Sequence, residues 1–524
     1  MNELQVRNVG RTEPHLGRLA EEWVSRHGDY PALWFEGRWC SSTEMLELSR
    51  RIAGGLIELG IEPGDRIVIT MPNRPEVPIL YHAAWRAGAV VTPAMFLLTE
   101  PDLRHVIADA RARAVITTSD LLSRTEAAAD SLCDVQHIVS VGTASGSALS
   151  LEALAQAAPA GLVPRSGDDL AALLYTGGTT GRSKGVALSH ANLAVAGHLG
   201  GEFEAGRDLR RELVALPLSH SFGLMVTLTA MCTDDPKSWV LVRKFSARPA
   251  LELIEQHRIN AVQVVPSMLQ LLLSEPIEQF DTSSLHSVAS GGAPLAADTI
   301  AELKSRLPTA AIIEGYGLTE TATVLTANPP GAEKIRSVGP PAPGVEVRII
   351  GADGQPLEQG QAGEICCRSA TVMLGYWNAP ELTAEAVRDG WLHTGDIGYL
   401  DADGYLFILD RKKNLIIRGG FNVYPGDIED ALMRHPLVRM AAVLGKPDPL
   451  HGEEVVAFVE PKPGAAPAPA ELVGWARENI GGYKYPREVH VVESLPLTDI
   501  GKVDRKALRR RLGLAEQPGL THHN

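Results

Sequence analysis

The sequence predicts an α/β protein: a large N-terminal domain of helix-covered sheets, a small β subdomain, and a small α+β C-terminal domain. Three observations predict it. Short β-branched runs alternate with helical patterns over roughly the first 400 residues, the mark of parallel sheets covered on both faces. Near residue 340 the texture becomes strand–turn–strand. Near residue 410 a knot of charge precedes a compact run of strands and helices.

In chain order, DRIVITM (65–71), AVITTS (114–119), NAVQVVP (260–266) and AAIIEGYG (310–317) are strand candidates. EMLELSRRIAGGLIELG (44–60) and PEVPILYHAAWRAG (75–88) carry helical spacing, and HGDYP and EPGD mark turns between pieces. LVALPLSHSFGLMVTLTAMC (213–232) is the longest apolar stretch. A membrane helix needs about 20 mostly apolar residues. Pro217, Ser219, His220, Ser221 and Gly223 interrupt this one, so it reads as a buried strand, a loop and a core helix. GVEVRIIGADGQPLEQGQAGEICCRS (344–369) turns at ADGQ and gives the β subdomain, about 340–409. The charged knot Asp410–Lys413 is the linker, which divides the chain into 1–409 and 414–524. Beyond it, GDIEDALMRHP and ELVGWARENIG read as helices, AAVLGKP and EVVAFVEPK as strands, and PKPGAAPAPAEL as a surface loop.

The chain has 524 residues, 45% of them hydrophobic and 21% charged, a composition that supports a large core. A net charge of −14 argues against a nucleic-acid binder with a broad basic face. Cys40, Cys133, Cys232, Cys366 and Cys367 are scattered and odd in number, so neither a disulfide framework nor a CxxC metal site is expected. The N-terminal MNELQVRNVGRTEP has no apolar signal core and no transmembrane segment is expected, which together read as a cytoplasmic protein.

Residues 175–185 read YTGGTTGRSKG after the apolar run LAALL. The order is not that of a GxxxxGK[ST] loop, because Lys184 precedes Gly185. The glycines let backbone N–H groups turn toward an anion. Thr176, Thr179, Thr180 and Ser183 add hydroxyl donors and Lys184 adds charge, a density that points to phosphate.

Six further motifs follow in order: LPLSHSFG (216–223), SGGAPL (290–295), GYGLTE (315–320), GWLHTGD (390–396), DRKKNLIIRGGFNVYP (410–425) and TDIGKVDRKAL (498–508). With them the chain, from about Leu33 to Leu508, resembles the adenylate-forming enzymes: acyl-CoA and aryl-CoA synthetases, peptide-synthetase adenylation domains and beetle luciferases. The resemblance implies two helix-covered sheets in the large domain and a mobile small domain. It implies ATP, Mg²⁺ and CoA as cofactors and a small-molecule carboxylic acid as substrate. Thr176, Gly177, Gly178, Thr179, Thr180, Gly181 and Lys184 would hold the β- and γ-phosphates. Tyr316 and Gly317 would meet adenine, with the backbone of Gly291 to Pro294, Gly292 and Ala293 included, lining its pocket. Thr319 would reach the α-phosphate, and Glu320 is the candidate Mg²⁺ ligand. Asp396 would accept from the ribose hydroxyls and Arg411 would donate to them. Lys502 would bridge the attacking carboxylate and the nucleotide, where a cation stabilises the developing phosphorane and fixes the attack geometry. The resemblance also makes 410–413 a hinge with its pivot at Lys412–Lys413. Rotation would withdraw Lys502 and bring in Gly419 and Gly420, past which a pantetheine arm can run. Arg418, Lys484 and Arg487 are the candidate contacts for CoA phosphates, and His220 with Phe222 the acyl-pocket gate.

Gly223 stands where peptide-synthetase domains carry the Asp that anchors an α-amino group, which argues against α-amino acids. No arginine occurs between Glu320 and Arg336, which argues against small dicarboxylates. The expected walls, Phe222, Leu224, Met225, Val265, Met268, Val324 and Leu325, suit a fatty or aromatic acid. Asp234 and Asp235 in CTDDPKSW read as turn residues; the alternative is an amine anchor, which would select a β-amino acid loaded on a carrier protein. The reading is therefore an acid–CoA ligase. Its alternatives are an acyl- or β-amino-acyl-AMP ligase serving an acyl-carrier protein, and a non-catalytic nucleotide sensor. The presence of Glu320, Asp396, Arg411 and Lys502 argues against the sensor. The oligomeric state is left open.

Overall fold

The computed structural model describes residues 15–514 except 177–182, 420, 481–483 and 499–501. Two eight-stranded sheets and two five-stranded sheets make a mixed α/β architecture. In spatial order the first large sheet is Gly375–Tyr376, Lys184–Ser189, Leu170–Thr176, Val90–Pro93, Arg66–Thr70, Ala112–Thr118, His137–Val141 and Leu149–Ser150. It is parallel from Leu170–Thr176 outward and antiparallel at the Gly375 end. The second is Thr326–Ala327, Ala311–Tyr316, Ser287–Ser290, Ala261–Val264, Arg211–Val214, Ser238–Leu241, Pro31–Phe35 and Arg38–Ser41, parallel inside and antiparallel at both edges.

The β-branched runs become strands because both faces of these sheets are buried. Successive side chains on a strand point to opposite faces. Leu213 and Val240 pack in one core with Leu251, Ile254, Ile300 and Leu303 of the helices Ala247–His257 and Ala297–Arg306. Their neighbours Val214, Trp239 and Leu241 pack in the other, which also takes Ile67, Ile69 and Val186 of the first sheet. The helices Glu76–Arg86, His190–Glu204 and Ser221–Ala230 add Tyr81, Trp85, Leu193 and Leu224 to that shared core. The interrupted apolar stretch is accordingly strand Arg211–Val214, a loop and helix Ser221–Ala230. Among the described residues no helix is long and apolar enough to cross a membrane.

The stretch around ADGQ folds as strands Glu346–Ile350 and Gly363–Arg368, in an antiparallel sheet with Trp391–Leu400, Val387–Arg388 and Leu406–Arg411. After the short turn Lys412–Asn414, a second five-stranded sheet holds the long hairpin Val438–Asp448 and Gly452–Pro461. Ala441 and Val443 face a core with Ile428 and Leu472, while Ala442 and Leu444 face a second one with Leu495 and Leu508. This sheet thus has cores of its own. All five cysteines are free.

Candidate active site

Strand Ala311–Tyr316 delivers Tyr316 to the cleft, where its hydroxyl donates to Asp396 Oδ2 at 2.6 Å. Asp396 is buried, and its Oδ1 meets Arg411 Nε at 2.9 Å. Asp396 and Arg411 are ladder partners on Trp391–Leu400 and Leu406–Arg411, so the sheet itself sets this pair. Burial and the Asp396 carboxylate push the Tyr316 phenol well above its usual range, which keeps it a donor. Gly317 follows because nothing larger fits: a Cβ there would stand 1.5 Å from the Thr323 carbonyl oxygen. The chain then turns through Thr319–Thr321, with Ala322 and Thr323 at positive φ. Thr319 Oγ1 donates to Ser221 Oγ at 3.1 Å, which ties the turn to helix Ser221–Ala230.

Strands Leu170–Thr176 and Lys184–Ser189 form an antiparallel hairpin in which Thr176 and Lys184 are register partners. Residues Gly177, Gly178, Thr179, Thr180 and Gly181 lie outside the described residues, as does Gly420. Tyr376, on the neighbouring strand, joins this hairpin to Glu320: its hydroxyl donates to Glu320 Oε1 at 2.8 Å, and Lys184 Nζ lies 5.3 Å from its ring centre.

The acyl side gathers around helix Ser221–Ala230, whose N-cap is His220, accepting from Phe222 N at 3.3 Å. Burial, then the charge of Lys502, pulls the His220 imidazole down to about 4, so it is neutral at neutral pH. A Cβ on Gly291 would stand 3.2 Å from the Phe222 ring. One on Gly292 would stand 3.8 Å from Val265 Cγ1 and 3.7 Å from Lys502 Cε, so phenylalanine, valine and lysine converge over this loop. Val265, Met268 and Val324, expected as walls, are half-buried, whereas Leu224, Met225 and Leu325, expected there too, are packed in the core. Gly223 faces backbone: a Cβ there would lie 2.1 Å from the Pro217 carbonyl oxygen.

Lys502 reaches the cleft from the chain's C-terminal part. Thr498 N donates to Lys502 O at 2.7 Å, and Lys502 N donates to Thr498 Oγ1 at 3.2 Å. Burial and Arg411 lower its ammonium to about 8, against the opposing pull of Asp396. Lys413 is held near 8 by burial and Arg411 in the same way. The candidate nucleotide and acyl residues therefore share one cleft with a lysine whose proton is easily shifted.

Other expectations land elsewhere. Asp234 and Asp235 sit exposed beyond the far end of helix Ser221–Ala230, away from His220 and Phe222. Arg418 is bound bidentately by Glu454 at 2.6 and 2.9 Å, so in this conformation its donors are engaged within the C-terminal part. Lys484 Nζ meets Asp427 at 3.3 Å, and Arg487 stacks on Tyr485. Gly419 has φ 57° and donates its N–H to His451 O at 2.7 Å. Sequence reasoning missed Tyr376, Lys413 as a site group and Glu314. The Glu314 carboxyl lies buried beneath the SGGAPL loop, accepts from Leu295 N at 3.3 Å, and is pushed up to about 7 by burial. No local pattern marks Tyr376 or Glu314, because each acquires its partner only when distant strands pair.

The model of the family described as AMP-binding enzyme matches residues 20–377, and that of the AMP-binding enzyme C-terminal domain matches residues 427–502. A feruloyl-CoA synthase of an Amycolatopsis species is 38% identical over 476 residues, covering 89% of this chain and 93% of that protein. A long-chain-fatty-acid–CoA ligase of Salmonella typhimurium is 33% identical over 531 residues, covering 94% of each. Among solved structures, ATP-bound MatB from Rhodopseudomonas palustris superimposes with a TM-score of 0.88 at 32% identity, covering 95% of this chain and 99% of that one.

Proposed function

The chain belongs to the AMP-binding enzymes, and on that premise we propose both its reaction and the parts its residues play. It is an ATP-dependent carboxylic acid–CoA ligase: acid and ATP give an acyl-adenylate and pyrophosphate, and CoA then gives the thioester and AMP. The acid is fatty or aromatic, a reading supported by the apolar wall of Phe222, Val265, Met268 and Val324. CoA is the acceptor, as it is by name for the feruloyl and long-chain relatives. ATP and CoA supply make the cytoplasm the compartment this reading assigns.

The observation that supports the reaction is Lys502 standing over Gly292, its Cε 3.7 Å from a Cβ built there, with its ammonium in the electrostatic field of Arg411 and Asp396. A carboxylate entering between Phe222 and Gly292 must approach the α-phosphate of ATP, and both are anions. Lys502 lies where its charge offsets that repulsion and grows in value as the phosphorane forms. Tyr316 and Asp396 orient adenine and ribose, Arg411 anchors Asp396, and Thr319 turns its hydroxyl from Ser221 to donate to the α-phosphate when ATP is bound. Among the described residues no cluster of three His, Cys, Asp or Glu could hold a metal alone. Glu320, its carboxylate fixed by Tyr376, fits Mg²⁺, which is commonly held by one or two carboxylates together with substrate phosphates. When bound, the ion neutralises charge on the leaving pyrophosphate. The linker 410–413 then lets the small domain, 414–524, turn so that Lys502 leaves and the Gly419 segment lines the thiol's path.

The test is acid-dependent pyrophosphate release over fatty, aryl and β-amino acids with and without CoA, repeated with Lys502→Ala. A fatty or aryl acid should win and give acyl-CoA. Lys502→Ala should lose adenylation by about 10²-fold or more while sparing thioester formation from supplied acyl-adenylate. Release without any CoA product would transfer the acceptor role to a carrier protein. No release with any acid would defeat the ligase reading.

A further inference from the structure

Two opposite charges of the cleft share one neighbour, the phenol of Tyr376. Its hydroxyl donates to Glu320 Oε1 at 2.8 Å. Lys184 Nζ lies 5.3 Å from its ring centre, within the range of a cation–π contact. All three residues are half-buried. Among the described residues neither Lys184 nor Glu320 takes part in an ion pair. Opposite charges beside one ring, partly shielded from water, attract each other strongly enough to close on one another unless something stands between them.

The backbone keeps the ring in that place. Tyr376 is the register partner of Val186, so its side chain lies on the strand face that also carries Lys184, one diagonal step away. Leu374 N donates to Ala187 O at 2.9 Å and Trp377 N donates to Gly185 O at 2.7 Å, which clamps the segment 373–377 along the hairpin. Met373 N donates to Glu320 O at 2.9 Å, so the same segment also holds the turn that carries the carboxylate. Tyr376 N donates to Thr383 Oγ1 at 2.9 Å and Trp377 Nε1 donates to Asp109 O at 3.0 Å, which anchors it on the other side. The ring therefore moves only if several backbone bonds break.

The phenol engages each charge without cancelling it. An ionised carboxylate has about four lone-pair sites, and one hydroxyl fills one of them. The rest stay open to a divalent cation. A ring face holds an ammonium without taking any of its N–H donors, so these stay open to phosphate oxygens. A direct bond between Lys184 and Glu320 would remove both from the nucleotide.

We propose that Tyr376 is a positioning residue that keeps Lys184 and Glu320 apart, so that one meets the phosphates and the other the divalent cation of the same nucleotide. This rests on the reading above that Lys184 serves the phosphates and Glu320 the Mg²⁺. ATP titrated calorimetrically into the full chain without any acid, once in EDTA and once in Mg²⁺, tests it. Mg²⁺ should tighten ATP binding to the parent, and Glu320→Gln should remove that gain. Tyr376→Phe, which deletes one hydroxyl from a half-buried ring and should still melt cooperatively, should shrink the gain about tenfold or more. In EDTA the same variant should bind ATP about fivefold more weakly, because Glu320 then holds Lys184. Glu320→Gln should reverse that loss. Metal-free ATP should therefore gain at least about fivefold more from Glu320→Gln in the Tyr376→Phe background than in the parent. Damage to packing alone would not be repaired by a change at Glu320. If Tyr376→Phe binds metal-free ATP as the parent does, or if Glu320→Gln does not restore its loss, the proposal fails while the metal reading stands. A Mg²⁺ gain that survives Glu320→Gln defeats the metal reading and the proposal with it.

Discussion

At the scale of single residues, the lysines of the cleft carry the most direct pH signature. Lys502 and Lys413 are both held at about 8, so near that pH each is about half protonated. Bound polyphosphate favours the charged forms and raises both values. ATP binding near pH 8 should therefore take up protons, up to about one in all, and the uptake should vanish near pH 6, where both lysines are already charged. Binding enthalpies in buffers of different ionisation heat measure this directly; no buffer dependence at pH 8 would mean the lysines do not face the phosphates. Glu314 makes the opposite kind of prediction. Its folded value, about 7, lies above the 4.5 of an ordinary glutamate. Its contribution to stability is therefore full below about pH 4.5 and is lost as pH rises through 7. Glu314→Gln removes that loss while keeping an acceptor for Leu295 N. The variant's stability relative to the parent should improve between pH 5 and pH 8 by up to about 3 kcal/mol, read from denaturant titrations at the two values. Lys502, Asp396 and Tyr316 were legible in the sequence because motifs in fixed order carry them. Glu314 was not, since nothing in AAIIEGYG says that its carboxyl will be capped by a loop from another strand.

At the scale of elements, the turn after strand Ala311–Tyr316 is the least tolerant piece of the site. At Gly317 a side chain would collide with the backbone of Thr323, at 1.5 Å from its oxygen and 2.2 Å from its carbon. The backbone must move, and with it Thr319 and Glu320. Gly317→Ala should cost at least about 3 kcal/mol and reduce adenylation. Gly354, in the ADGQ turn, has φ 78° and nothing within 4 Å. Gly354→Ala should therefore cost only the left-handed penalty, about 1–2 kcal/mol, without loss of activity. Thermal melts and pyrophosphate release on the pair check the contrast. Most elements were legible because their burial is periodic: EMLELSRRIAGGLIELG became helix Ser42–Glu58 and DRIVITM became strand Arg66–Thr70. The two-residue strand Gly375–Tyr376 was not. It has no period to read, and it exists because it completes the sheet edge beside strand Lys184–Ser189.

At the scale of the whole molecule, the conformation that brings Lys502 to Gly292 is braced by an ion pair between distant parts of the chain. Arg336 Nη2 meets Asp430 at 2.7 Å and Asp427 at 3.8 Å. The arginine is half exposed, so the pair is worth about 1 kcal/mol or less. Arg336→Ala should slow adenylation by no more than about fivefold and leave thioester formation from supplied acyl-adenylate unchanged or faster. Equal slowing of both half-reactions would show that Arg336 does not brace one arrangement over the other. The division into a large and a small part was visible from the sequence, because texture and composition change around Asp410. The brace was not, as Arg336 and Asp430 lie in different motif blocks and meet only in the folded chain. The rung formed by Asp396 and Arg411 has a mechanical meaning at this scale. Arg411 is the last residue of its strand, so the rung proposed to receive the ribose also borders the linker proposed as the hinge. On the proposed reading a nucleotide seated there would bear on the linker through both half-reactions, and its departure as AMP would unload the linker for the return swing. Shedding the spent nucleotide and resetting the machine for the next acid then become a single stroke.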